Sequence, residues 1–304
     1  MLKKLFIIIS ISSIYLNAAS IGSISTGSQN GTYLEIGKDI SNLFKKYNIQ
    51  LEVKKSQGSL DNLNRVLRLD TTENSTWAIV QADALKYYKH KYYKQTKQNI
   101  NDKVKTILPL YNEAIHVFTK KGKKIKFDSQ TSLKVGVKSK KSGGYITSKV
   151  ISNLYGIKFN FVYCDFSTAK KHLQKGKIDI FIDVTAKPNK TYTNLKNIDF
   201  VVLPQNKSMD HTYVKTVFTQ KEYPWLEKNY TGYSSPTILI TNVVDKKYDK
   251  NVTFFTEAIL KNSKRLIMGG HEKWNIIFQE LQSNYNQIHY HPQAIKSISS
   301  HIGK

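Results

Sequence analysis

The alternation of short apolar runs with amphipathic stretches constrains the fold of this chain more than any other sequence feature. Ile21 to Ser25 form a short apolar run, a turn rich in glycine and hydroxyl residues follows, and Tyr33, Ile36 and Ile40 then recur at helical spacing. This strand, loop and helix unit repeats, which is the pattern of mainly parallel sheets covered by helices. Further candidate strands cover residues 51–54, 77–80, 104–110, 115–119, 134–138, 159–163, 178–184, 200–203 and 237–241.

The length of the chain and a charged turn near its middle favour two lobes. A chain of 304 residues is too long for a typical single core, and its 40% apolar content is enough to fill two. Four lysines surround Gly122 in the turn from Lys120 to Lys124, which separates one series of strands from the next. The sequence therefore predicts an α/β fold of two lobes, each a mainly parallel sheet flanked by helices, with a cleft between them.

The first nineteen residues have the pattern of a signal peptide. Two lysines precede an apolar stretch from Leu5 to Leu16, and the small residues Ala18 and Ala19 follow. The apolar stretch is shorter than the roughly 20 residues that a membrane-spanning helix needs. We expect a signal peptide over residues 1–19, cleavage near Ala18 or Ala19 and a periplasmic protein, with an uncleaved anchor as the alternative.

The formal net charge of +25 raises nucleic acid or another polyanion as a partner, but the distribution of charge argues against nucleic acid. Lysines are scattered along the whole chain, and the arginines are only Arg65, Arg68 and Arg265, which is a poor supply of bidentate phosphate ligands. We interpret most lysines as solvated surface residues that attract anionic solutes over long range. A surface adhesin that binds polyanions stays an alternative, and its binding would weaken steeply with salt.

Three loops share the physical features of an anion site. Thr26 to Thr32, Ser56 to Ser59 and Ser142 to Gly144 each place hydroxyl residues and glycine between a predicted strand and a predicted helix. The first turn of a helix presents unpaired N–H groups and a partial positive charge, which suit a carboxylate or phosphate. Any single loop is explained by capping and turn formation. Three such loops split between two lobes predict a ligand held from both sides.

Motifs for catalysis are missing from the sequence. It contains no Walker or dinucleotide-binding glycine pattern, no G-x-S-x-G and no H-E-x-x-H. His116 lies in an apolar strand and is interpreted as structural, and the single Cys164 as a buried, inert thiol. An enzyme built on this scaffold would have only these two residues as candidate nucleophile or base. We expect no enzymatic activity.

Metal and carboxylate sites are not indicated either. The histidines His289, His291 and His301 lie in a segment that looks exposed and lack carboxylate or thiol partners, so no zinc site is predicted. Asp179 and Asp183 stand four apart on a strand, which is unsuited to a carboxylate dyad. We expect neither a metal nor a cofactor.

An ordered set of motifs resembles the TAXI family of TRAP transporter solute receptors. The motifs run from about Ile21 to about Thr241, with a further match near the C-terminus. They are Gly27-Ser28-Gln29-Asn30-Gly31-Thr32-Tyr33, Ser56-Gln57-Gly58-Ser59-Leu60-Asp61-Asn62-Leu63, Ala78-Ile79-Val80-Gln81-Ala82-Asp83, Leu110-Tyr111-Asn112-Glu113-Ala114-Ile115-His116, Gly136-Val137 with Ser142-Gly143-Gly144, Gly176-Lys177-Ile178-Asp179 and His291-Pro292-Gln293-Ala294-Ile295-Lys296.

The resemblance implies a type II periplasmic-binding fold whose first lobe covers residues 20–118 and 215–304 and whose second lobe covers residues 119–214. It also implies a monomeric receptor that captures a glutamate-like amino acid or another small organic acid. Hinge closure would then deliver the ligand to a TRAP membrane permease driven by an ion gradient. A periplasmic sensor of the same fold, which signals ligand occupancy to a membrane kinase, is the alternative. The ligand contacts implied by the motifs are Thr26, Asn30, Gly31, Thr32, Ser59, Gln81, Ser142, Gly143, Gly144, Tyr145, Asp183 and Pro188.

One position departs from the family pattern. Where the pattern commonly runs Ser-Gly-Thr-Arg, this chain has Ser142-Gly143-Gly144-Tyr145, so an arginine that would pair with the ligand's anion is missing. Tyr145 offers a hydrogen bond or a stacking face instead, which suits a less acidic or more apolar ligand. Lys187 is a candidate replacement for the missing charge, with a solvated lysine as the alternative.

Overall fold

The computed structural model describes residues 19–29, 31–69, 73–281 and 289–303. The expected signal peptide lies outside these residues except for Ala19, and so does Asn30. Across the described ranges, every helix is too short or too polar to cross a membrane.

Ten strands and ten α-helices follow one another in the described part of the chain. The strands are β1 (Ala19–Ser25), β2 (Ile49–Lys54), β3 (Trp77–Gln81), β4 (Lys105–Lys120), β5 (Ser132–Val137), β6 (Lys158–Tyr163), β7 (Ile180–Thr185), β8 (Ile198–Phe200), β9 (Val214–Phe218) and β10 (Tyr230–Thr241). The helices are α1 (Thr32–Lys45), α2 (Ser59–Leu67), α3 (Ala82–Thr96), α4 (Gly143–Tyr155), α5 (Phe166–Gln174), α6 (Lys207–Thr212), α7 (Asp249–Lys261), α8 (Ser263–Gly269), α9 (Lys273–Glu280) and α10 (Pro292–Ile302).

The strands form a mixed sheet with parallel wings and an antiparallel centre. Its order is β2-β1-β3-β10-β4-β7-β5-β6, with β8 paired to β4 and β9 paired to β10. In one wing β1 pairs in parallel with β2 and β3, and in the other β5 pairs in parallel with β6 and β7. The predicted α/β architecture of mainly parallel strands flanked by helices is thus confirmed for the wings. The antiparallel pairing of the central strands β4 and β10 is an addition to it.

Strand β4 joins the two wings. Its residues 105–114 pair with β10, and its residues 114–118 pair with β7. The sequence predicts two separate extended segments here, whereas the structure has one continuous strand. Tyr111 and Glu113 are buried, and Asn112 and Glu113 pair in register with Pro236 and Ser235 of β10, which keeps the backbone extended through the gap.

Each wing has its own apolar core. In the first wing, the stripe Ile36, Ile40 and Phe44 of α1 packs toward the sheet, and Phe255 of α7 stacks on Trp77 with ring centroids 4.0 Å apart. In the second wing, α4 covers β5 and β7 in a separate cluster of buried residues. Ala84 of α3 and Leu60 of α2 also contact the second cluster, so the two wings pack against each other in this conformation. The predicted lobe boundaries at residues 118 and 214 stay a prediction.

Candidate functional site

Three helix N-termini meet at one cavity between the wings. The helices α1, α2 and α4 begin at Thr32, Ser59 and Gly143, directly after loops that follow the carboxyl ends of β1, β2 and β5. All three starting residues line a cavity of about 130 Å³. The loops predicted from sequence to share the features of an anion site are therefore brought together in space.

Local sequence explains how the helix starts face the cavity. Gly31 and Gly58 are the N-caps of α1 and α2, and neither has a side chain to occupy the first free N–H groups. Gly58 has a φ of 122°, a conformation that side-chain-bearing residues rarely adopt. Ser142 caps α4 by accepting from the Tyr145 N–H at 3.3 Å, and its hydroxyl donates to the Ser139 carbonyl at 2.7 Å. The N–H groups left free are placed to bind an anion.

The two wings touch each other over the cavity. The Leu60 N–H of α2 donates to the Lys141 carbonyl at 3.3 Å. A Cβ atom placed on Gly143 would lie 1.5 Å from Gln81 Oε1, so α4 approaches the end of β3 more closely than any side-chain-bearing residue allows. The cleft is therefore closed in this conformation.

Two carboxyl groups and one lysine give the cavity its charge. Lys138, directly after β5, forms an ion pair of 2.8 Å with Asp183 of β7, and Tyr192 donates its hydroxyl to the same carboxylate. Glu113 of β4 accepts a hydrogen bond of 2.8 Å from the Tyr33 hydroxyl. Burial raises the pKa of Glu113 to about 8, whereas the neighbouring Asp183 raises the pKa of Lys138. Near neutral pH, Glu113 is predominantly protonated and Lys138 is charged.

Most residues expected to contact a ligand line this cavity. They are Gly31, Thr32, Ser59, Gln81, Ser142, Gly143, Gly144 and Asp183. Gln81 is almost fully buried, and its Nε2 has no hydrogen-bond partner among the described residues. Its amide is thus a donor available to a guest in the cavity.

Three expected contacts lie elsewhere, and Asn30 lies outside the described residues. Thr26 is fully buried and donates to the Lys54 carbonyl at 2.9 Å, so it links β1 to β2. Tyr145 packs against Phe161 with ring centroids 4.9 Å apart, because two positions along α4 rotate its side chain away from the cavity. Pro188 follows a cis peptide bond and is not among the residues that line the cavity.

Sequence reasoning identified Asp183 but missed Lys138 and Glu113 among the ionisable residues of the cavity. Lys187, the candidate replacement for the missing arginine, instead pairs with Glu222 at 2.7 Å, and Lys138 supplies the cation beside the cavity. The position of Lys138 at the carboxyl end of a predicted parallel strand was an available indication. Gly27, Ser28, Gln57 and Gly58 also line the cavity and belong to the loops predicted to form an anion site, although they were not named as contacts. The other lining residues that were missed are Tyr33, Glu113, Val184 and Thr185.

The remaining titratable residues have structural partners. Both ring nitrogens of His116 are hydrogen-bonded, Nε2 to the Tyr223 hydroxyl at 2.8 Å and Nδ1 to the Ala114 carbonyl at 3.0 Å. Burial lowers the pKa of His116 to about 4. The expectation that His291 is exposed is wrong, because it is buried and caps α10 by accepting from the Gln293 N–H. Asp179 pairs with Lys123, away from Asp183.

Metal ligands and a reactive thiol are also not apparent. No group of three or more His, Cys, Asp or Glu residues that would hold a metal ion occurs in the described ranges. Cys164 follows β6 and is half-buried, and its N–H donates to the Val137 carbonyl at 3.0 Å. Burial raises the pKa of its thiol, which disfavours the reactive thiolate.

Solved structures with the same fold include a periplasmic binding protein. The periplasmic binding protein BugD matches with a TM-score of 0.52 at 9% identity, covering 94% of each chain. A structure described as a periplasmic transporter matches with a TM-score of 0.52 at 10% identity, covering 89% of this chain and 98% of that chain. At such identities the likeness concerns the fold alone.

A third solved structure also has this fold. The Candida albicans CA3427 gene product, described as exhibiting the generic periplasmic binding protein structural fold, matches with a TM-score of 0.50 at 12% identity, covering 92% of this chain and 80% of that chain. No curated protein matches the sequence significantly. The model of the NMT1-like family matches residues 24–230. The chain therefore has the periplasmic-binding-protein fold and belongs to the NMT1-like family.

Proposed function

We propose that this protein is a periplasmic solute-binding receptor of the TAXI type, which captures a small carboxylate-bearing metabolite and delivers it to a TRAP membrane permease. The observation that carries the proposal is the convergence of three helix N-termini, contributed by both wings, on one closed cavity. Helix N-termini stabilise anions through free N–H groups and the helix dipole. An anion held from both wings would favour the closed state.

The size and charge of the cavity support a small anionic ligand. Its volume of about 130 Å³ is below the roughly 300–1,000 Å³ of sites for drug-sized molecules. Lys138 supplies a cation next to the helix starts, in place of the arginine that is missing after Gly144. A small organic acid or amino acid fits these properties.

The proposed mechanism is hinge closure. Lobe 1 would comprise residues 20–118 and 215–304 and lobe 2 residues 119–214, after removal of a signal peptide over residues 1–19. The strands β4 and β10 cross between the wings, so bending there opens or closes the cleft. The permease would distinguish the closed, loaded receptor from the open, empty one.

A double substitution tests the site. Thr32→Ala combined with Ser142→Ala removes two hydroxyl groups from the cavity and should abolish the thermal stabilisation given by the solute that co-purifies with the wild type. Mass spectrometry identifies that solute, and a thermal-shift screen of amino acids and organic acids ranks its analogues.

The control variant is Asp165→Ala. Asp165 caps α5 by accepting from the Thr168 N–H at 2.7 Å and is not among the residues that line the cavity, so its loss removes a helix cap, as the loss of Ser142 does, without changing the cavity lining. The control should keep the full ligand-induced shift. An undiminished shift in the double variant would remove these loops from the site.

A further inference from the structure

Glu113 occupies the centre of the molecule without a cationic partner. It lies on β4, the strand shared by both wings, it is 7% exposed and it lines the cavity. Among the described residues it forms no salt bridge, because the adjacent Lys138 is paired with Asp183. A buried carboxylate without a cation is strongly disfavoured, so burial favours the neutral acid form of Glu113.

The groups around Glu113 do not supply the missing charge. The Tyr33 hydroxyl donates to it, and burial together with the carboxylates Asp83 and Asp183 disfavours its ionised form, which Lys138 only partly offsets. The titratable residues that face it come from α1, β4, α3, the end of β5 and β7, and they are Tyr33, Tyr111, Asp83, Lys138 and Asp183. Because Lys138 is already paired with Asp183, a protonated group of the ligand would supply the cation that Glu113 lacks.

The lining of the cavity combines backbone N–H donors with carboxyl groups. The helix starts at Thr32, Ser59 and Gly143 offer N–H donors, whereas Glu113 and Asp183 offer carboxyl groups. A ligand with one carboxylate and one protonated nitrogen matches both kinds of group, whereas a simple organic acid leaves Glu113 without a cation.

We propose that Glu113 is the receptor for a protonated nitrogen of the solute, so that binding transfers the proton of Glu113 to solvent and leaves an ion pair in the closed cleft. The bond that breaks is the O–H of the Glu113 carboxyl, and its proton goes to the buffer. The nitrogen of the solute keeps its own protons and donates one of them to the carboxylate. This inference rests on the proposed receptor function and narrows its solutes to those that carry both charges.

Matched pairs of probes separate the two charges. Each L-amino acid, from alanine to glutamate, is compared with its 2-oxo acid, which has a carbonyl group in place of the ammonium group. Titration calorimetry at pH 7 in phosphate and in Tris buffers, which differ in ionisation enthalpy, measures the protons released on binding. We expect the amino acid of the best-binding pair to bind roughly 10-fold to 100-fold more tightly than its 2-oxo acid, and to release close to one proton.

Two substitutions locate the released proton. Glu113→Gln, which keeps the size of the side chain, should abolish proton release and most of the preference for the amino acid. Glu280→Gln, a substitution at a carboxyl group that lies outside this cavity and also has a raised pKa, should leave both unchanged. Circular dichroism checks that each variant is folded. The number of protons that the wild type releases on binding is measured independently of both variants.

The possible results distinguish the role of Glu113 from the proposed receptor function. Equal affinities within each pair, binding without proton release, or unchanged release in Glu113→Gln would overturn the inference and leave the receptor function intact. Failure of every amino acid, 2-oxo acid and other organic acid to bind would overturn the receptor function, and the role of Glu113 with it.

Discussion

Two buried titratable residues of this protein are uncharged near neutral pH, as their low-polarity surroundings favour. Glu113 and His116 lie three residues apart on β4, and both are almost fully buried. Burial moves their pKa values in opposite directions, upward for the acid and downward for the base, because it disfavours the charged form of each. Asp183, in contrast, forms an ion pair with Lys138. The centre of the sheet therefore carries little uncompensated charge near neutral pH.

The pKa of His116 predicts loss of stability in acid. Its pKa is about 4 in the folded protein and about 6.5 in the unfolded chain, so between these values the unfolded chain binds more protons. The stabilisation is fully present above pH 6.5 and is lost as the pH falls towards 4. A shift of this size corresponds to about 3 kcal/mol.

Comparison with His116→Gln isolates this effect. Urea unfolding of both proteins at several pH values between 7 and 4 should show that the wild type loses about 3 kcal/mol more than the variant, which has no imidazole to protonate. Parallel losses in the two proteins would mean that His116 does not control the acid response.

At the scale of elements, the start of α4 determines how closely the wings can approach. Gly143 contacts the buried side chain of Gln81, which also accepts a hydrogen bond of 3.4 Å from the Ser59 hydroxyl. Glycine at this position allows the α4 backbone to reach the end of β3. The glycine in the first turn of α4 therefore permits the close approach of the two wings as well as the start of the helix.

Gly143→Ala should weaken solute binding by roughly 10-fold or more, because a methyl group there meets Gln81 and opposes closure. Alanine favours helix formation, so the melting temperature of the ligand-free protein should not fall. The control is Gly269→Ala at the end of α8, where an added methyl group meets nothing within 4 Å. Calorimetry with the co-purified solute measures the affinities, and wild-type affinity in Gly143→Ala would contradict a steric role for this contact.

Elements with local signals were predictable from the sequence. The capping residue Ser142 and the glycines that follow it predict the start of α4, and the helical spacing of apolar residues from Ile36 to Phe44 predicts α1. Glu113 was missed because the sequence predicts it in the gap between two extended segments, where a glutamate ordinarily faces water, and only the distant Tyr33, Lys138 and Asp183 reveal that it is buried in a cleft. The antiparallel centre of the sheet depends on β10, which pairs with β3 and β4 across more than a hundred residues, beyond the reach of local patterns.

For the whole molecule, hydrogen bonds between the wings contribute to closure. Thr147 of α4 donates to Asp83 of α3 at 2.7 Å, and the Tyr213 hydroxyl donates to the same carboxyl oxygen at 3.0 Å. All three residues are buried, and burial raises the pKa of Asp83. In the proposed hinge motion, opening of the cleft would separate α3 from α4 and exchange these bonds for bonds to water.

Thr147→Val should shift the ligand-free molecule towards an open form. The substitution keeps the side-chain volume but removes a hydrogen bond to a buried acid, worth about 1–3 kcal/mol. Small-angle scattering should show a larger radius of gyration than for the wild type, and solute affinity should fall several-fold. Ser148→Ala, whose hydroxyl bonds only to Gly144 within α4, is the control. Superimposable scattering curves for Thr147→Val and the wild type would show that this contact does not hold the wings together.

The lone thiol gives the molecule a natural attachment point for a spectroscopic probe. Cys164 is the only cysteine of the chain, and it is hydrogen-bonded through its backbone to Val137, the residue before Lys138. A maleimide dye coupled near neutral pH, where lysine amines are protonated and react little, would therefore label a single position in the second wing without prior mutagenesis. Burial raises the pKa of this thiol, so coupling is slow, and the emission of the dye would then test whether the cleft opens and closes.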